Sequence, residues 1–441
     1  MTHFQNVVIG FGKAGKTLAA DLARRGESVA LIERSAQRYG GTCINVGCIP
    51  TKTWVHDAEA AVPFPLAAQR QQHLVAQLRE KNRQMLADLA TVTLIDGQAR
   101  FVDAYTLAVE NAQGEQMIRA ERIFINTGAR STLPPIPGLA ESAQVYDSAA
   151  LLQLTTLPRR VAILGAGYIG IEFASLLRRF GAEVLLLEAS EHFLAREDRD
   201  IAEAVATLLR DEGVDLRLAT QVTRVFEQGD EVCLEVAGAI LRADAVLVAS
   251  GRTPNSAGLA LDRAGVAVDA RGAIVVDEQL RTTQPHIWAL GDVNGGPQFT
   301  YISLDDFRIV RDALYGEGQR RTGDRGAVPY SVFISPTLSR IGLNEEQARA
   351  QGVPFTVVSL PVSAIPRAHT LNDTRGVLKA LVRRDNGQIL GATLLCRDSH
   401  EMINLLKMAM DAGLPYSVLR DQIYTHPTMS EAFNELFARV A

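Results

Sequence analysis

Apolar and polar positions alternate along this chain in blocks whose character changes near residue 320. Before that point, short apolar runs such as residues 7–9 alternate with amphipathic stretches, a pattern typical of β-α-β units around a parallel sheet. Residues 66–90 are rich in Gln, Ala, Leu and Arg and predict a long surface helix. After residue 320, the strand-like run 377–382 and an amphipathic helix at 402–410 predict a separate α+β region.

An internal repeat is the strongest feature of this organisation. The segment that begins at Val8 matches the one that begins at Ile163, at an offset of 155 and without a gap. Each copy has an apolar strand, a glycine-rich turn, an amphipathic helix and a second strand that ends in an acid. The turn glycines are Gly10, Gly12 and Gly15 in the first copy and Gly165, Gly167 and Gly170 in the second, and the acids are Glu33 and Glu188.

This arrangement is typical of a dinucleotide-binding turn. The first glycine permits the tight turn, the second lets a pyrophosphate approach the backbone, and the third lets the helix pack closely on the strand. The phosphates then lie at the helix N-terminus, and the acid reaches the ribose hydroxyls. Two copies predict two dinucleotides. We assign FAD to the first copy, which lies beside a cysteine pair, and the nicotinamide cofactor to the second.

The predicted fold class is α/β, with two Rossmann-like dinucleotide-binding domains (FAD and NAD(P)) and a C-terminal α+β domain. A proline-rich linker at 134–138 precedes the second copy, and the apolar strand that ends at Gly291-Asp292 indicates a return to the first domain. The predicted boundaries are 1–150 for the first part of the FAD-binding domain, 151–270 for the NAD(P)-binding domain, 271–320 for the return segment and 321–441 for the C-terminal domain.

Composition narrows the range of functions. The 441 residues carry a net charge of −5 with acids and bases interspersed, which disfavours a nucleic-acid partner. No apolar run reaches the roughly 18 residues of a membrane span, so no membrane partner is expected. The N-terminus lacks a basic region and a cleavage site, from which we expect a cytoplasmic protein. Only four cysteines occur, and in a reducing compartment a close pair is more often catalytic or metal-binding than structural.

Cys43 and Cys48 form that close pair. Inert core thiols and half of a zinc site are alternatives, although zinc usually needs a second Cys/His pair at short spacing, which neither Cys233 nor Cys396 has. Residues five apart in a regular helix lie about 8–9 Å from each other, whereas a disulfide needs Cα atoms within about 7 Å. If the pair is bridged, we therefore expect a helix distorted at Gly47 and a new helix that starts near Cys48, where a thiolate is favoured.

Further motifs extend over the whole chain. They are residues 40–52, 126–129, 250–255, 289–292 and 425–431. Together with the two dinucleotide turns, they resemble the class I pyridine nucleotide-disulfide oxidoreductases. The resemblance implies an FAD- and NAD(P)H-dependent oxidoreductase that passes electrons through a redox-active cysteine pair.

The resemblance also implies roles for individual residues. Cys48 is the sulfur beside the flavin, and Cys43 is the interchange thiol that meets the electron acceptor. Lys52 and Glu172 form an ion pair near the flavin. Residues that the resemblance places at the cofactors are Thr42, Lys52, Thr127, Gly128, Gly251 and Asp292.

His426 and Glu431 complete the implied catalytic set. In the family pattern His426, held by Glu431, is the general acid/base and reaches Cys43 from the other subunit, which implies a homodimer joined through the C-terminal domain. Read from the residues alone, a His–Glu pair suits proton transfer, because histidine titrates near neutral pH and a carboxylate can fix its tautomer.

Four stretches indicate one branch of the family. Residues 10–16, 39–45, 299–306 and 399–404 resemble the flavoproteins of bacterial reactive-chlorine resistance, described as copper(II) reductases. A metal-ion acceptor such as Cu(II) is therefore favoured, since thiolates bind soft copper well. No resident metal site is expected. Mercuric reductases carry an N-terminal metal-binding domain and a C-terminal cysteine pair that this sequence does not show, which makes mercury a less favoured acceptor.

Other interpretations stay open. The same dithiol could reduce a small disulfide, as lipoamide dehydrogenase and glutathione reductase do, and a redox sensor without turnover is a different class of function. Asp305 and Asp306 hint at an unusual acceptor pocket, although solvated helix acids are more common. Residues that we interpret as core rather than as metal ligands or redox groups are Met402, Met408, Met410, Cys233 and Cys396.

Glu188 bears on the choice of nicotinamide cofactor. An acid at this position bonds the 2′-hydroxyl of NAD and repels the 2′-phosphate of NADP. No arginine follows directly, although Arg196 is not far along the chain. We expect NADH, with NADPH as the alternative.

Overall fold

The computed structural model describes residues 1–440, which divide into two compact units. The first unit contains Met1–Leu133, Tyr146–Leu157 and Ser250–Asp324. The second contains Pro134–Val145, Pro158–Ala249 and the chain from Arg325 onward. Each unit therefore joins segments that are far apart in sequence.

The strands are β1 (Thr2–Ile9), β2 (Val29–Glu33), β3 (Val92–Asp96), β4 (Gln98–Phe101), β5 (Thr106–Asn111), β6 (Gly114–Ile125), β7 (Ala129–Ser131), β8 (Val145–Asp147), β9 (Arg160–Leu164), β10 (Glu183–Leu187), β11 (Asp215–Arg217), β12 (Val222–Gln228), β13 (Glu231–Val236), β14 (Ala239–Ala243), β15 (Ala245–Val248), β16 (Arg252–Pro254), β17 (Ile287–Ala289), β18 (Tyr330–Val332), β19 (Leu338–Gly342), β20 (Phe355–Pro361), β21 (Val377–Arg383) and β22 (Ile389–Leu395).

The helices are α1 (Lys13–Arg24), α2 (Gly41–Asn45), α3 (Cys48–Glu59), α4 (Phe64–Ala87), α5 (Ser148–Leu151), α6 (Tyr168–Arg179), α7 (Arg199–Asp211), α8 (Thr300–Tyr315), α9 (Glu345–Ala350), α10 (Pro366–Thr370), α11 (Ser399–Asp411), α12 (Tyr416–Asp421) and α13 (Ala432–Ala438).

A seven-stranded sheet organises the first unit, with the order β3-β2-β1-β6-β5-β4 and with β17 paired to β6. Strand β1 pairs in parallel with both β2 and β6. Every residue of β2 is buried, as expected for a strand that is covered on both faces. Helix α1 crosses from β1 to β2, and its apolar side, including Leu18 and Leu22, shares a core with Ile309 of α8. The carboxyl ends of β1 and β6 therefore lie side by side, which is where such sheets bind ligands.

The second unit contains a second parallel sheet, in which β11, β10, β9 and β15 are neighbours in that order. Helix α6 connects β9 to β10 as α1 connects β1 to β2, so the sequence repeat is also a structural repeat. A small antiparallel sheet, β12-β13-β14, follows in the chain.

The C-terminal part of the second unit is an antiparallel sheet in the order β18-β19-β22-β21-β20. Helices α11 and α13 cover it with apolar side chains. Leu406 of α11 and Phe433 and Phe437 of α13 are fully buried in this core. This part is the α+β region that the change in pattern after residue 320 predicts.

The predicted fold class is confirmed, and the helices at 66–90 and 402–410 correspond to α4 and α11. The division into compact units differs in detail from the predicted boundaries. The first unit resumes at Ser250 rather than at residue 271, and residues 134–145 belong with the second unit. Of the helices within residues 1–440, none combines the length and the hydrophobicity that spanning a bilayer requires.

Candidate active site

The first glycine-rich turn, residues 10–15, follows β1 and opens α1. Gly10 has φ +100°, and a Cβ on it would lie under 3.0 Å from the Asn126 carbonyl. A Cβ on Gly15 would lie 2.6 Å from the Gly10 oxygen, so glycine is needed for the helix to pack this closely. The Asn126 side chain accepts from the Gly15 N–H (2.8 Å) and donates to the Leu290 carbonyl (2.6 Å). Asn126 thus ties the turn to the ends of two neighbouring strands.

The second turn repeats this geometry. Gly165 has φ +102°, and a Cβ on Gly170 would lie under 3.0 Å from the Gly165 oxygen. Around Gly167, in contrast, no atom lies within 4 Å of the position that a Cβ would take. The middle glycine therefore leaves open space beside the N-terminus of α6, as the approach of a pyrophosphate requires.

The acids of the two copies make equivalent hydrogen bonds. The Glu33 carboxylate accepts from the backbone N–H groups of Phe11 (2.9 Å) and Ser35 (3.3 Å). The Glu188 carboxylate accepts from those of Ala166 (2.9 Å) and Ser190 (2.9 Å). Burial raises the pKa of Glu33, against the effect of these N–H groups. Each acid is thus fixed beside its glycine-rich turn.

The cysteine pair lies at a break between two helices. Cys43 is in the middle of α2, and α3 begins at Cys48. Val46 (φ −148°) and Gly47 (φ −132°, ψ −114°) interrupt the helical backbone between them. The predicted distortion and the predicted helix start are therefore both present. Cys43 is half-buried, and Cys48 is exposed.

The two thiols differ in their surroundings. A hydrogen bond to Cys48, followed by burial, raises the pKa of the Cys43 thiol far above its usual range, while Thr300 and Lys16 act in the opposite direction. The Cys48 sulfur lies 3.5 Å from the Thr300 hydroxyl. Thr300 is the first residue of α8, so the positive end of this helix lies beside Cys48 and favours negative charge there. Cys43 as proton holder and Cys48 as thiolate is therefore the favoured arrangement of the reduced pair.

Residues of the first unit around this turn suit a large anionic cofactor such as FAD. Gly12 gives α1 no side-chain cap, but the Ala14 and Gly15 N–H groups already donate to the Ser303 hydroxyl (3.2 Å) and the Asn126 side chain (2.8 Å). A phosphate would therefore meet the N–H groups that precede these two at the start of α1. Burial raises the pKa of Asp292, and the Arg252 guanidinium 3.5 Å away opposes this shift. The Arg252 Nε is buried without an acceptor among residues 1–440. Gly128 has φ +71°, and the only atom near its Cβ position is the Thr42 hydroxyl at 3.9 Å.

Other residues predicted for this cofactor lie in the same unit. The Thr127 hydroxyl donates to the Asn255 carbonyl (2.8 Å), and Gly251 has φ +123°. Lys52 lies one helical turn after Cys48 in α3 and is half-buried. The residues predicted to bind FAD thus lie in one compact unit although they come from distant parts of the sequence, and their role in binding stays a prediction.

Glu172 belongs to the second unit, in α6, and its carboxylate accepts from the Phe333 N–H (2.7 Å). Lys52 belongs to the first unit. The predicted pairing of Lys52 with Glu172 stays a prediction.

His426 and Glu431 form the predicted pair. The His426 Nδ1 lies 2.8 Å from a Glu431 oxygen. The histidine side chain is 71% exposed, whereas that of Glu431 is 17% exposed. The carboxylate therefore fixes the orientation of an imidazole whose other nitrogen is available for proton transfer.

Asp305 and Asp306 are structural. Asp306 is buried and accepts from the Gly291 N–H (2.6 Å), while buried Asp305 pairs with Arg320 (2.5 Å). The interpretation as solvated helix acids is therefore wrong, because both carboxylates are buried and hydrogen-bonded, while the suggestion of an unusual acceptor pocket stays a prediction. Sequence periodicity alone does not reveal a partner so far along the chain.

The other candidate ligands also take structural positions. Met402, Cys233 and Cys396 are buried, as predicted, but Met408 is 70% exposed. The interpretation of Met408 as a core residue is therefore wrong, and the three methionines form no common stripe. Within residues 1–440, the one acidic cluster with metal-like spacing consists of Asp198, Asp200 and Glu345. The Lys379 ammonium lies among these carboxylates, at 3.0, 2.9 and 2.5 Å, and neutralises them.

Thr300 and Lys16 are site residues that the sequence analysis missed. Both lie in stretches singled out for their resemblance to other flavoproteins, yet neither shows a motif of its own. Their roles follow from the packing of α8 and α1 against the segment that carries the cysteines.

Most of the chain matches the models of one protein family. The pyridine nucleotide-disulphide oxidoreductase family matches residues 4–306, and the dimerisation domain of that family matches residues 328–437. The two matches together span most of the chain.

Similar proteins cover the full length. The "Probable pyridine nucleotide-disulfide oxidoreductase RclA" of Escherichia coli (strain K12) is 58% identical over 440 residues, which is 100% of both chains. Mercuric reductase of Bacillus cereus is 34% identical over 450 residues, 97% of this chain and 70% of its own. Dihydrolipoyl dehydrogenase of Mycobacterium bovis is 33% identical and covers 99% of this chain and 98% of its own.

Solved structures show the same likeness. The Cu(II) complex of the HOCl-induced flavoprotein disulfide reductase RclA from Escherichia coli has a TM-score of 0.98 at 57% identity, with 100% of both chains covered. Another structure of the HOCl-induced flavoprotein disulfide reductase RclA from Escherichia coli has a TM-score of 0.97 at 57% identity. The match covers 99% of this chain and 100% of the reductase chain.

Proposed function

Because the chain belongs to the pyridine nucleotide-disulphide oxidoreductase family, we propose that it carries electrons from NADH through FAD and the Cys43–Cys48 pair to Cu(II). The observation that carries this proposal is the pair itself. The two sulfurs lie at a helix break, one exposed beside the N-terminus of α8 and one half-buried behind it. The similar reductase from Escherichia coli, solved as a Cu(II) complex, favours copper as the acceptor.

Each residue of the site has a part in this reaction. FAD, when bound, would supply the chemistry that passes two electrons from the nicotinamide to the pair. The N-terminus of α1 and Glu33 would hold the cofactor, and Cys48 would face it. Cys43 meets the acceptor, and His426, oriented by Glu431, exchanges the proton.

The electron and proton balance limits the stoichiometry. One hydride equivalent brings two electrons and one proton, so opening the S–S bond leaves one thiol and one thiolate. Two Cu(II) ions then take one electron each and leave as Cu(I). The S–S bond forms again and one proton is released. We therefore expect two copper ions reduced for each NADH oxidised.

The second dinucleotide site suits NADH. Two backbone N–H groups hold the Glu188 carboxylate at the end of β10, where it can accept from the 2′-hydroxyl of NADH. A 2′-phosphate at the same place would meet this negative charge. A higher kcat/KM for NADPH than for NADH would contradict this assignment.

The active form that we propose is a homodimer in the cytoplasm. The match to the family's dimerisation domain supports the dimer, in which His426 would serve Cys43 of the other copy. The need for a continuous supply of NADH supports the compartment. A monomer of full activity at all concentrations would contradict the shared site.

The decisive experiment is an acceptor panel under NADH with Cu(II), Hg(II), lipoamide and oxidised glutathione. We expect turnover with Cu(II) and a loss of more than about 100-fold in the Cys43→Ser variant, because a mutated nucleophile leaves little catalysis. Cys233→Ala is the matched control, since Cys233 is buried in β13 of the other compact unit. Turnover with lipoamide alone would favour the small-disulfide function that the dihydrolipoyl dehydrogenase relative represents.

A redox sensor is the remaining alternative. Such a protein would show reversible oxidation of the pair without steady NADH consumption in either wild type or Cys43→Ser. Sustained turnover with any acceptor in the panel excludes it.

A further inference from the structure

Two cations lie close to the segment that carries Cys43. Lys16 comes from α1 and is 7% exposed, and Arg79 comes from α4 and is half-buried. Neither forms an ion pair with any of residues 1–440. Each is instead held by neutral carboxamides, which is unusual because a buried charge normally needs an opposite one nearby.

The side chain of Lys16 extends from α1 to a hydrogen-bond partner on α4. Its ammonium donates to the Asn82 side chain. Burial, followed by repulsion from Lys13 on the same helix, lowers the pKa of Lys16 to about 8, and Cys43 on α2 is the attracting group. At neutral pH the side chain is therefore still mostly charged, and it lies close enough to Cys43 for the two groups to interact electrostatically.

Arg79 is hydrogen-bonded to the same segment. Its Nε donates to the Asn45 side chain (2.8 Å), and a second nitrogen donates to Gln37. Asn45 is buried between the two cysteines in sequence and donates to the Tyr39 and Gly41 carbonyls (2.9 Å each). Burial, followed by repulsion from Arg38, lowers the pKa of Arg79.

A neutral glutamine or methionine at either position would avoid the cost of burying a charge. We therefore infer that the positive charges act in another redox state of the cysteine pair. Reduction of the pair by one hydride equivalent from NADH breaks the S–S bond and leaves one thiol and one thiolate. The segment near the two cations thus gains one negative charge, and low local polarity strengthens the attraction.

We propose that Lys16 and Arg79 stabilise the reduced Cys43–Cys48 pair electrostatically and so raise its reduction potential. This inference rests on the proposed function only in that the pair must be redox-active. Asn82 and Asn45 are the positioning residues that keep the two cations against the segment.

The expected change in the equilibrium constant for reduction of the pair follows from the effect of one opposite charge near an ionised group. Such a charge typically changes an equilibrium about tenfold. Removing either cation should therefore lower the equilibrium constant for reduction about tenfold, which is about 30 mV for a two-electron couple. Removing both should give a larger decrease than either alone.

The test uses the full-length FAD-loaded protein and no electron acceptor. Wild type, Lys16→Met and Arg79→Leu are equilibrated with mixtures of reduced and oxidised dithiothreitol, and free Cys43 is quantified by alkylation and mass spectrometry. Lys16→Arg and Arg79→Lys are the matched controls that keep the charge. Melting temperature and bound FAD are measured for every variant.

We expect Lys16→Met and Arg79→Leu to need a more reducing mixture, with both controls close to wild type. Potentials equal to wild type in both neutral variants, with full FAD content, would overturn the inference. So would Arg79→Lys behaving like Arg79→Leu, since hydrogen-bond geometry and not charge would then matter.

Loss of FAD from Lys16→Met without a change in potential would overturn the part assigned to Lys16 and place it in cofactor binding. If Lys16→Met does not fold, the Arg79 variants still decide the inference. Failure of copper turnover in the wild type would appear only in the acceptor panel, so the two proposals fail separately.

Discussion

Two glycines of the second turn, Gly170 and Gly167, allow the packing of α6 and the binding of the nicotinamide cofactor to be tested separately. Gly170 lies in α6 where a Cβ would come under 3.0 Å from the Gly165 oxygen and 3.1 Å from the Gly165 carbonyl carbon. Gly167 lies just before the helix, with φ −74° and nothing within 4 Å of its Cβ position. Alanine at residue 170 must therefore displace backbone, whereas alanine at residue 167 has room.

The magnitudes follow from these two surroundings. Overpacking a close contact between a helix and its strand costs about 3 kcal/mol, since backbone rather than a flexible side chain has to move. For a chain of 441 residues, whose unfolding entropy grows with length, that corresponds to a decrease in Tm of roughly 3 °C. Gly167→Ala should change stability by less than about 0.5 kcal/mol. Its methyl group would instead face an approaching pyrophosphate, so we expect the KM for NADH to rise at least about tenfold.

The assay combines thermal unfolding with NADH titration under single-turnover conditions. Gly170→Ala should lower the Tm, and Gly167→Ala should keep the wild-type Tm while its KM for NADH rises. A wild-type KM in Gly167→Ala would refute the assignment of this turn to the nicotinamide cofactor. An unchanged Tm in Gly170→Ala would refute the packing described here.

Three further changes probe other parts of the molecule. Thr300→Val removes the hydroxyl 3.5 Å from the Cys48 sulfur, and we expect iodoacetamide to alkylate Cys48 of the reduced enzyme up to about tenfold more slowly; an unchanged rate would contradict the contact. Glu431→Ala frees the His426 ring, and kcat should fall at least tenfold at unchanged Tm, whereas a fall in Tm alone would mean a structural role. Lys379→Met leaves three carboxylates facing one another, and the free energy of unfolding measured in urea should fall by about 3 kcal/mol. For the control Lys81→Met, at an exposed position, it should change by less than about 0.5 kcal/mol.

The Lys379 cluster also predicts a pH dependence. Burial acts against the charge, but hydrogen bonds to Glu345, Asp200 and Asp198 prevail and raise the pKa of Lys379 above its usual value. A cation whose pKa is higher in the folded state stabilises the fold fully below its unfolded pKa of about 10.4. This contribution should disappear as the pH rises through the folded pKa, and the unfolding free energies of wild type and Lys379→Met should converge there.

Much of the site is encoded at short range and was predictable. The glycine turns, the acids 23 residues after the first glycine of each turn, the helix break between Cys43 and Cys48, and the His426–Glu431 pair all depend on residues close together in the chain. The fold class followed as well, because the repeat shows two copies of one β-α-β unit. Short spacing fixes local backbone geometry, and local geometry leaves a recognisable pattern.

The residues that tune the pair were decided by tertiary structure alone. Thr300 reaches Cys48 across 252 positions, and Arg79 reaches Asn45 across 34. Asp306 was misread for the same reason, since its partner is the backbone of Gly291 and not solvent. Such contacts arise from the order in which strands assemble and from which helix then packs on which strand. No periodicity along the chain records that order, because it depends on the burial of whole faces and not on the spacing of neighbouring residues.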